Sequence, residues 1–255
     1  MSRIESKTEA ELAVMRQAGR IVAEILDELE KSVAPGVTTW DLDQLAERLI
    51  AQKGAKPAFK GYNGFPAVLC ASVNEEVVHG IPSRKKKLQE GDLMKLDFGV
   101  KYQGFFGDSA RTVAVGQVSD EARRLLETTR EALMRGIAAM LVGNRLGDVG
   151  AAVQSHVEGR GFAVVRDFVG HGIGKALHEP PQVPNYGEAG SGMKLRVGMV
   201  LALEPMVNAG TPHVKVLDDD WTAVTTDNRW SAHWEHTVAI TDRGPEILTL
   251  SPSSR

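Results

Sequence analysis

Four carboxylates stand among apolar residues, in segments that have the pattern of buried strands. They are Asp97 in LMKLDFGV, Asp108 at the start of GDSARTVAV, Glu204 at the end of VLALEP and Glu235 at the start of WEHTVAI. An ionised carboxylate in a low-dielectric interior is costly unless it is paired, protonated or bound to a cation. Ion pairs would explain one or two such groups. Because few basic residues stand near these four, the sequence favours bound cations instead.

His171 is a fifth candidate ligand. It lies in FVGHGIG, where the flanking glycines allow a tight backbone turn and leave the imidazole unobstructed. A glycine-flanked histidine alone is more often a loop feature, but beside four carboxylates it completes a mixed oxygen and nitrogen site. Two divalent cations balance the charge of the four carboxylates, before any bridging hydroxide is counted. The set therefore predicts a dinuclear hydrolytic centre.

Two other chemistries fit the sequence less well. GHGIG has neither the GxGxxG nor the Walker spacing of a phosphate-binding loop. Cys70, the single cysteine of the sequence, could act as a nucleophile, but a cysteine protease needs its own histidine base and would leave the carboxylates unexplained. A lone cysteine forms no internal disulfide, which favours a reducing, cytoplasmic setting.

The segments that carry these residues repeat along the chain. Five pairs of positions lie 107 residues apart: Gly36 and Gly143, Asp41 and Asp148, Gly54 and Gly161, Gly91 and Gly198, Asp97 and Glu204. In each half, helices end at glycines and a turn leads into a buried strand with one carboxylate. The sequence therefore predicts one catalytic domain, 1–255, built from similar halves at about 10–117 and 118–250.

The predicted helices and strands together indicate an α+β fold, in which helices cover a mostly antiparallel sheet. Long helices are expected over residues 11–33 and 121–141, each followed by a shorter helix that opens near Asp41 or Asp148. The glycine-containing turn KYQGFFG predicts a hairpin that brings Asp97 and Asp108 together. No linker rich in Pro, Gly or Ser separates the halves, which favours a single domain.

Composition argues against several classes of protein. With 255 residues, 42% hydrophobic and 25% charged, the chain has ordinary globular values. Its net charge of -3 argues against a basic nucleic-acid-binding surface. Neither a signal-peptide apolar stretch nor an apolar run of about 18 residues is present. We therefore expect no membrane span, no specific DNA partner and a cytoplasmic location.

The motifs resemble those of the type I methionine aminopeptidases of the bacterial type, a peptidase family with the pita-bread fold. The resemblance covers nearly the whole chain and runs through GYNGFPAVLCASVNEEVVHGIP, KLDFGVKYQGFFGDSA, VGHGIGKALHEPPQVPNY, LALEPMVNAG and HWEHTVAI. The chain has no helical insertion between Glu204 and Glu235, which separates it from the type II enzymes. We also expect no Cys/His-rich N-terminal extension, which argues against the eukaryotic cytosolic form. The implied fold has pseudo-two-fold halves and a central antiparallel sheet covered by helices.

The resemblance also implies a role for each site residue. Two divalent ions, Fe²⁺, Mn²⁺ or Co²⁺, would be held by Asp97, Asp108, His171, Glu204 and Glu235. Catalytic roles fall to Glu204, which shuttles a proton, and to His79 and His178, which also handle substrate. The pocket for a methionine side chain would be lined by Tyr62, Phe65, Cys70, Phe168, Leu177 and Trp221. Leu177 stands where many relatives have an aromatic residue.

The implied reaction is the removal of the initiator methionine from nascent proteins and peptides by attack of a metal-bridging hydroxide, with a small second residue preferred. Nascent N-termini are the expected partners and a monomer is the expected state. The basic run at 84–87 is expected to be a solvated loop, with ribosome contact as the alternative. A monovalent cation is implied near Asn74 and Ser231, with ordinary turn hydrogen bonding as the alternative.

Two other functions stay open at the level of sequence. A prolidase-like Xaa-Pro peptidase can share these ligands and this fold, although the bulky apolar pocket and the short chain favour methionine cleavage. A pita-bread binding module without catalysis is the alternative from a different class. Such modules typically lose metal ligands, and here all five candidate ligands are present.

Overall fold

The helices form two pairs that are separated in sequence by strands. In the computed structural model, which describes residues 4–251, they are α1 (Glu9–Ser32), α2 (Thr39–Gln52), α3 (Asp120–Ala139) and α4 (Leu146–Gly159). The predicted long helices are confirmed to within two residues at each end. Residues 1–3 and 252–255, which the predicted domain includes, lie outside the described part. Among the residues described, no helix is long and apolar enough to cross a membrane.

The starts of the helices follow from local side-chain chemistry. The Thr38 side chain accepts a hydrogen bond from the backbone N–H of Asp41, and the Asp41 side chain bonds back to Thr38. This capping box satisfies two N–H groups that a helix end leaves free. At the start of α4 the Asp148 carboxylate accepts from the Arg145 N–H at 2.7 Å. The aspartates that the repeat paired thus have the same role in both halves.

Other local features recur in the two halves. Gly36 and Gly143, in the turns before the shorter helices, have φ values of 94° and 96°, in a region that favours glycine. Isolated β-bridges then form at equivalent positions, Thr38 with Lys87 and Arg145 with Lys194. The two paired glycines therefore have similar backbone conformations, and the bridges that follow them also lie 107 residues apart.

All strand pairs within residues 4–251 are antiparallel, as predicted. The strands of the first half are β1 (Lys56–Pro57), β2 (Leu69–Val73), β3 (Glu76–Val78), β4 (Leu93–Tyr102) and β5 (Phe105–Ala114). Those of the second half are β6 (Ala163–Val164), β7 (Gly170–Gly172), β8 (Glu179–Val183), β9 (Val200–Leu203), β10 (Met206–Asn208), β11 (Val214–Val216), β12 (Ala223–Thr225), β13 (Ser231–His233), β14 (His236–Thr241) and β15 (Gly244–Ile247). The order β15-β14-β9-β7-β8 forms a five-stranded sheet, and β4 pairs with β1, β2 and β5. Two three-stranded groups, β13-β10-β6 and β11-β12-β3, complete the arrangement.

Strands β4 and β5 form the predicted hairpin. Gln103 and Gly104 connect them with φ values of 46° and 89°, as a tight two-residue turn requires. In the register, Asp97 faces Ala110 and Asp108 faces Gly99, so the two aspartates are diagonal neighbours on one face. The backbone N–H of Glu235 donates to the Ala110 carbonyl at 2.9 Å. The hairpin therefore meets the chain that enters β14 at the point where Glu235 lies.

Apolar side chains on the outer faces of the sheets hold the helices in place. Helix α1 packs on β4 and β5, where Leu26, Met94 and Phe98 belong to one buried cluster. Helix α3 packs on β9, with Leu133 and Leu201 in a second cluster. Because each helix pair covers a different part of the strands, the carboxylate-bearing segments lie between the two covered faces.

Helix α1 approaches the hairpin unusually closely at two glycines. A Cβ on Gly107 would lie 3.0 Å from the backbone nitrogen of Gly19, and a Cβ on Gly19 would lie 2.3 Å from the carbonyl oxygen of Leu248. Neither position leaves room for a side chain. Since Gly107 directly precedes Asp108 in β5, this contact fixes the backbone that carries a candidate ligand.

Replacement of Gly19 by alanine is expected to destabilise the protein, although alanine favours helices by about 1 kcal/mol. The new methyl group would overlap the Leu248 carbonyl, so helix α1 must shift, and we expect the free energy of unfolding to fall by about 1–3 kcal/mol. Gly159→Ala is the matched control, because no atom lies within 4 Å of its Cβ position. Urea denaturation measures both variants. Equal stabilities would contradict the close packing.

Candidate active site

A cavity of about 210 Å³ lies between the β4–β5 hairpin and the five-stranded sheet. Its polar wall contains all five predicted metal ligands: Asp97, Asp108, His171, Glu204 and Glu235. The remaining lining residues are Phe59, Tyr62, Asn63, Phe65, Cys70, His79, Leu177, His178 and Trp221. One cavity therefore combines a wall of carboxylates with an apolar wall.

Antiparallel strands and their ends supply the polar wall. Asp97 lies in β4, Asp108 in β5 and His171 in β7, while Glu204 directly follows β9 and Glu235 directly precedes β14. Ladder hydrogen bonds fix the backbone of these strands, so the side chains converge without relying on a flexible loop.

Three of the predicted ligands already have the spacing of a metal site. One ligand atom each from Asp108, His171 and Glu235 lies within 4.8 Å of the other two. Glu204 adjoins them, with Oε1 at 3.6 Å from His171 Nε2. His171 Nδ1 lies 2.8 Å from the Gly172 carbonyl oxygen. Because a carbonyl only accepts, Nδ1 carries the proton and the Nε2 lone pair is free for a cation.

Two buried carboxylate oxygens of the cluster lack partners. Within the described residues, Asp108 Oδ1 and Glu235 Oε1 accept no hydrogen bond, although Glu235 is only 2% exposed. Such groups are strongly destabilising unless something compensates them. Oxygen-rich donors with one imidazole suit divalent transition ions. These residues therefore fit bound metal.

Burial and proximity oppose ionisation of the four carboxylates in the protein without metal. Burial raises the pKa of Asp108 to about 7. Burial, followed by the Asp108 charge, raises the pKa of Asp97 well above its usual range. The pKa values of Glu204 and Glu235 are also raised by burial and then by the neighbouring aspartates, with Glu204 adding to the effect on Glu235. Divalent cations would reverse this balance, since they favour the charged carboxylates.

Two histidines adjoin the cluster on the side of the apolar wall. His178 Nδ1 lies 2.7 Å from the Tyr62 hydroxyl, and its ring centroid is 4.2 Å from that of His171. His79 follows β3 with a φ of 61°, a conformation rare for histidine. Burial lowers the pKa of His79 to about 4 and also lowers the pKa of His178. Both imidazoles are therefore neutral near pH 7.

Aromatic contacts shape the apolar wall. The Trp221 ring meets Phe65 edge-on at a centroid distance of 5.1 Å, and Leu177 is 2% exposed. Burial raises the pKa of the Cys70 thiol well above its usual range, so Cys70 stays protonated and is a poor nucleophile.

Phe168 lies apart from the other predicted pocket residues. Within residues 4–251 it is not part of the cavity lining, and its ring packs edge-on against His79 at 5.5 Å. Phe168 therefore contacts a histidine of the cavity wall, and its part in binding a methionine side chain stays a prediction.

Sequence reasoning missed three residues at this site. Phe59 and Asn63 line the cavity, but neither has a residue type or spacing that signals chemistry. His233 lies with Nε2 at 3.7 Å from Glu204 Oε2, and burial lowers its pKa to about 3. The two-residue period of a strand places His233 on the same side as Glu235. The spacing of these two residues in the sequence could therefore have predicted that His233 lies at the site. The same period correctly separates His236, whose Nδ1 meets the Thr249 hydroxyl at 2.9 Å.

Comparison with known proteins assigns the family. The sequence matches Metallopeptidase family M24 over residues 13–242. The chain belongs to family M24. Within this family, a methionine aminopeptidase of Clostridium acetobutylicum is 55% identical over 244 residues, which cover 96% of this chain and 98% of that protein. The predicted resemblance to methionine aminopeptidases is confirmed, and with it the prediction of a metallopeptidase enzyme.

Solved structures share the fold of this chain. The crystal structure of methionine aminopeptidase from Thermotoga maritima matches with a TM-score of 0.96 and 48% identity, covering 98% of this chain and 100% of that chain. The prolidase from Pyrococcus horikoshii matches with a TM-score of 0.77 and 23% identity, covering 96% of this chain and 63% of that one. The pita-bread fold is therefore confirmed.

The metal-free M24 enzyme is expected to become more stable as the pH falls from about 8 to about 6.5. The folded pKa of Asp108, about 7, exceeds the value of about 4 in an unfolded chain. Its contribution to stability is therefore complete below pH 4 and is lost as the pH rises through 7. Two groups act in the opposite direction: Lys95, whose pKa burial lowers to about 7, above that pH, and His171, whose pKa burial lowers to about 4, below about 6.5. Between pH 7 and 8 the raised pKa values of Asp97, Glu204 and Glu235 are expected to outweigh the single lysine.

Melting temperatures of chelator-treated protein across this range measure the effect. The Mn²⁺-loaded protein is the control, and metal should raise its melting temperature more at pH 8 than at pH 6.5, because protons and metal compete for the carboxylates. A metal-free protein that becomes more stable with rising pH in this window would contradict the raised carboxyl pKa values.

Proposed function

We propose that this M24 enzyme removes the N-terminal methionine from nascent proteins and peptides, with preference for a small second residue. The observation that carries the proposal is the cavity itself, in which five candidate ligands face an apolar wall that includes Phe65, Cys70 and Trp221. An apolar wall with a soft sulfur atom suits a thioether side chain. The methionine aminopeptidases among its relatives support the same substrate.

We assign Asp97, Asp108, His171, Glu204 and Glu235 as the residues that hold two divalent metal ions. The hard, oxygen-rich donor set favours Mn²⁺ or Fe²⁺, and Co²⁺ suits the same donors. Bound divalent ions lower the pKa of water toward neutrality, so that a hydroxide nucleophile exists at working pH.

Glu204 is the proposed proton shuttle. Its two oxygens lie between His171 and His233, at 3.6 Å and 3.7 Å, at the edge of the cavity. The site raises the pKa of this carboxyl through burial and neighbouring charge, and a carboxyl that accepts a proton readily can return it to the departing amine. Glu204 would thus accept a proton when the nucleophile forms and donate it when the amine departs.

We infer that His178 stabilises the oxygen of the scissile carbonyl. When the Tyr62 hydroxyl donates to Nδ1 across their 2.7 Å contact, the single proton of the neutral ring is on Nε2. That N–H can donate to the oxyanion as it develops. His79 is neutral for the same reason of burial, and assists at the leaving amide.

The entrance of the cavity supports the preference for a small second residue. Tyr62 and His178 stand there with ring centroids 5.2 Å apart, and both side chains are exposed. We propose that these two rings narrow the entrance beside the residue that follows the methionine. A narrow entrance would favour glycine, alanine or serine over a bulky side chain.

The extent of the domain, the oligomeric state and the location of the protein are inferred from the sequence. We propose a single catalytic domain over 1–255 with halves at about 10–117 and 118–250, acting as a monomer in the cytoplasm. Ribosome contact through the basic run stays a prediction. Two of its members are engaged within the chain, since Arg84 lies 4.7 Å above the Trp40 ring and Lys86 pairs with Glu76.

Steady-state cleavage of Met-Ala-Ser and Ala-Pro peptides tests this function. We expect the metal-loaded enzyme to release methionine from the first and to leave the second nearly intact. Chelation should abolish this activity, and Mn²⁺, Fe²⁺ or Co²⁺ should restore it. Glu204→Gln, folded by circular dichroism, should lose about 100-fold or more in kcat. A preference for Ala-Pro would establish the prolidase alternative, and no cleavage together with retained partner binding would establish a binding module.

Truncation of Trp221 tests the pocket. Trp221→Ala removes a flat wall of the cavity, so we expect kcat/KM for methionine peptides to fall about 10-fold to 100-fold and discrimination against leucine to weaken. Trp40→Ala makes the same change away from the cavity, beneath Arg84, and serves as the control. The ratio of rates on Met-Ala-Ser and Leu-Ala-Ser reports the result. An unchanged ratio in Trp221→Ala would place the methionine pocket elsewhere.

A further inference from the structure

Lys95 is a buried lysine beside the candidate metal site. It is only 1% exposed and stands two positions before Asp97 in β4, so the strand directs both side chains to the same face. Lysine is rarely this buried unless its charge is held by acceptors. Its position therefore requires a specific arrangement of oxygen atoms.

Two backbone carbonyls supply those oxygens. Lys95 Nζ donates to the Asn74 carbonyl at 2.9 Å and to the Ser231 carbonyl at 2.8 Å. Asn74 lies in the turn between β2 and β3, and Ser231 opens β13. One ammonium therefore joins three segments that are distant in sequence.

The acceptors are themselves held in place. Asn74 has a φ of 53°, and its side chain donates to Asp92 Oδ1 and accepts from the Leu93 N–H, both at 2.9 Å. Its carbonyl oxygen also accepts the Ser231 N–H at 3.0 Å. This network fixes the carbonyls where Lys95 Nζ reaches them.

These contacts disagree with the monovalent cation that the sequence resemblance implied near Asn74 and Ser231. Such an ion would need carbonyl oxygens as ligands, and Lys95 Nζ already lies within hydrogen-bond distance of both carbonyls, at 2.9 Å and 2.8 Å. A metal ion bound to the same two oxygens would have to occupy the position of this nitrogen. The residues at this place therefore do not fit a sodium or potassium ion.

We propose that the Lys95 ammonium takes the place of a monovalent cation in this protein and joins the Asn74 turn, β4 and β13 without any bound ion. The joined segments lead directly into the site. From Asn74 the chain continues through β3 to His79, and from Ser231 through β13 to His233 and Glu235. Lys95 is thus a positioning residue for both arms of the cavity. Burial lowers the pKa of Lys95 to about 7, while the carboxylates of Glu76 and Glu75 raise it.

Thermal unfolding in different salts tests the proposal without any peptidase assay, so it can fail independently of the proposed function. The Mn²⁺-loaded protein is melted at about pH 6.5 in KCl, NaCl and choline chloride of equal ionic strength. The unaltered protein should have the same melting temperature in all three salts. A rise that is specific to potassium or sodium and saturates with concentration would overturn the proposal.

Two substitutions sharpen the test. Lys95→Ser frees both carbonyls and leaves room for an ion, so it should melt lower in choline chloride and recover by about 4 °C or more in potassium or sodium. Lys95→Met fills the same space without an N–H group, so it should melt lower in every salt and not recover. Equal responses of the two variants, or no recovery of Lys95→Ser, would refute the replacement.

Thallium-205 NMR of the unaltered protein tests directly for a bound monovalent ion, and it applies even if neither variant folds. Tl⁺ serves as the probe because it binds at potassium sites. We expect no bound signal that potassium displaces. A saturable bound signal, lost on addition of potassium, would show that the ion and Lys95 coexist and would refute the proposal.

Discussion

Four carboxylates crowded into one small, largely buried cavity repel one another, and the rest of the molecule is arranged to keep them there. Without cations their ionisation is opposed by burial and by each other. Loops would relax under such repulsion, because few contacts hold their backbone. Here each carboxylate lies in a strand or directly beside one. The packed helix pairs then cover the outer faces, so the strands cannot separate without losing a hydrophobic cluster.

Much of this arrangement could be predicted from sequence because it depends on periodic signals. Apolar spacing located the helices, and the KYQGFFG turn predicted the hairpin of Asp97 and Asp108. The interval between paired glycines predicted two similar halves. Carboxylates inside apolar strands indicated metal because few basic residues stand near them to form ion pairs. In each case a local pattern carried the information.

The remaining features depend on contacts between distant segments. Phe59 and Asn63 line the cavity, yet their residue types fit any loop. Phe168 shares a motif with His171 and packs edge-on against His79, a contact between segments that are distant in sequence. Lys95 looks in the sequence like one polar residue in a strand, because its two acceptors lie 21 and 136 positions away. The motifs implied a monovalent cation near Asn74 and Ser231, and in the structure the carbonyls of both residues accept hydrogen bonds from Lys95.

The contact between Gly19 and Gly107 ties the outside of the molecule to its chemistry. The backbone of α1 lies directly against the backbone that leads into Asp108, with no side chain between them to absorb a displacement. A substitution that displaces α1 would then change the spacing of the ligands. The position of this outer helix is therefore a geometric constraint on the metal site.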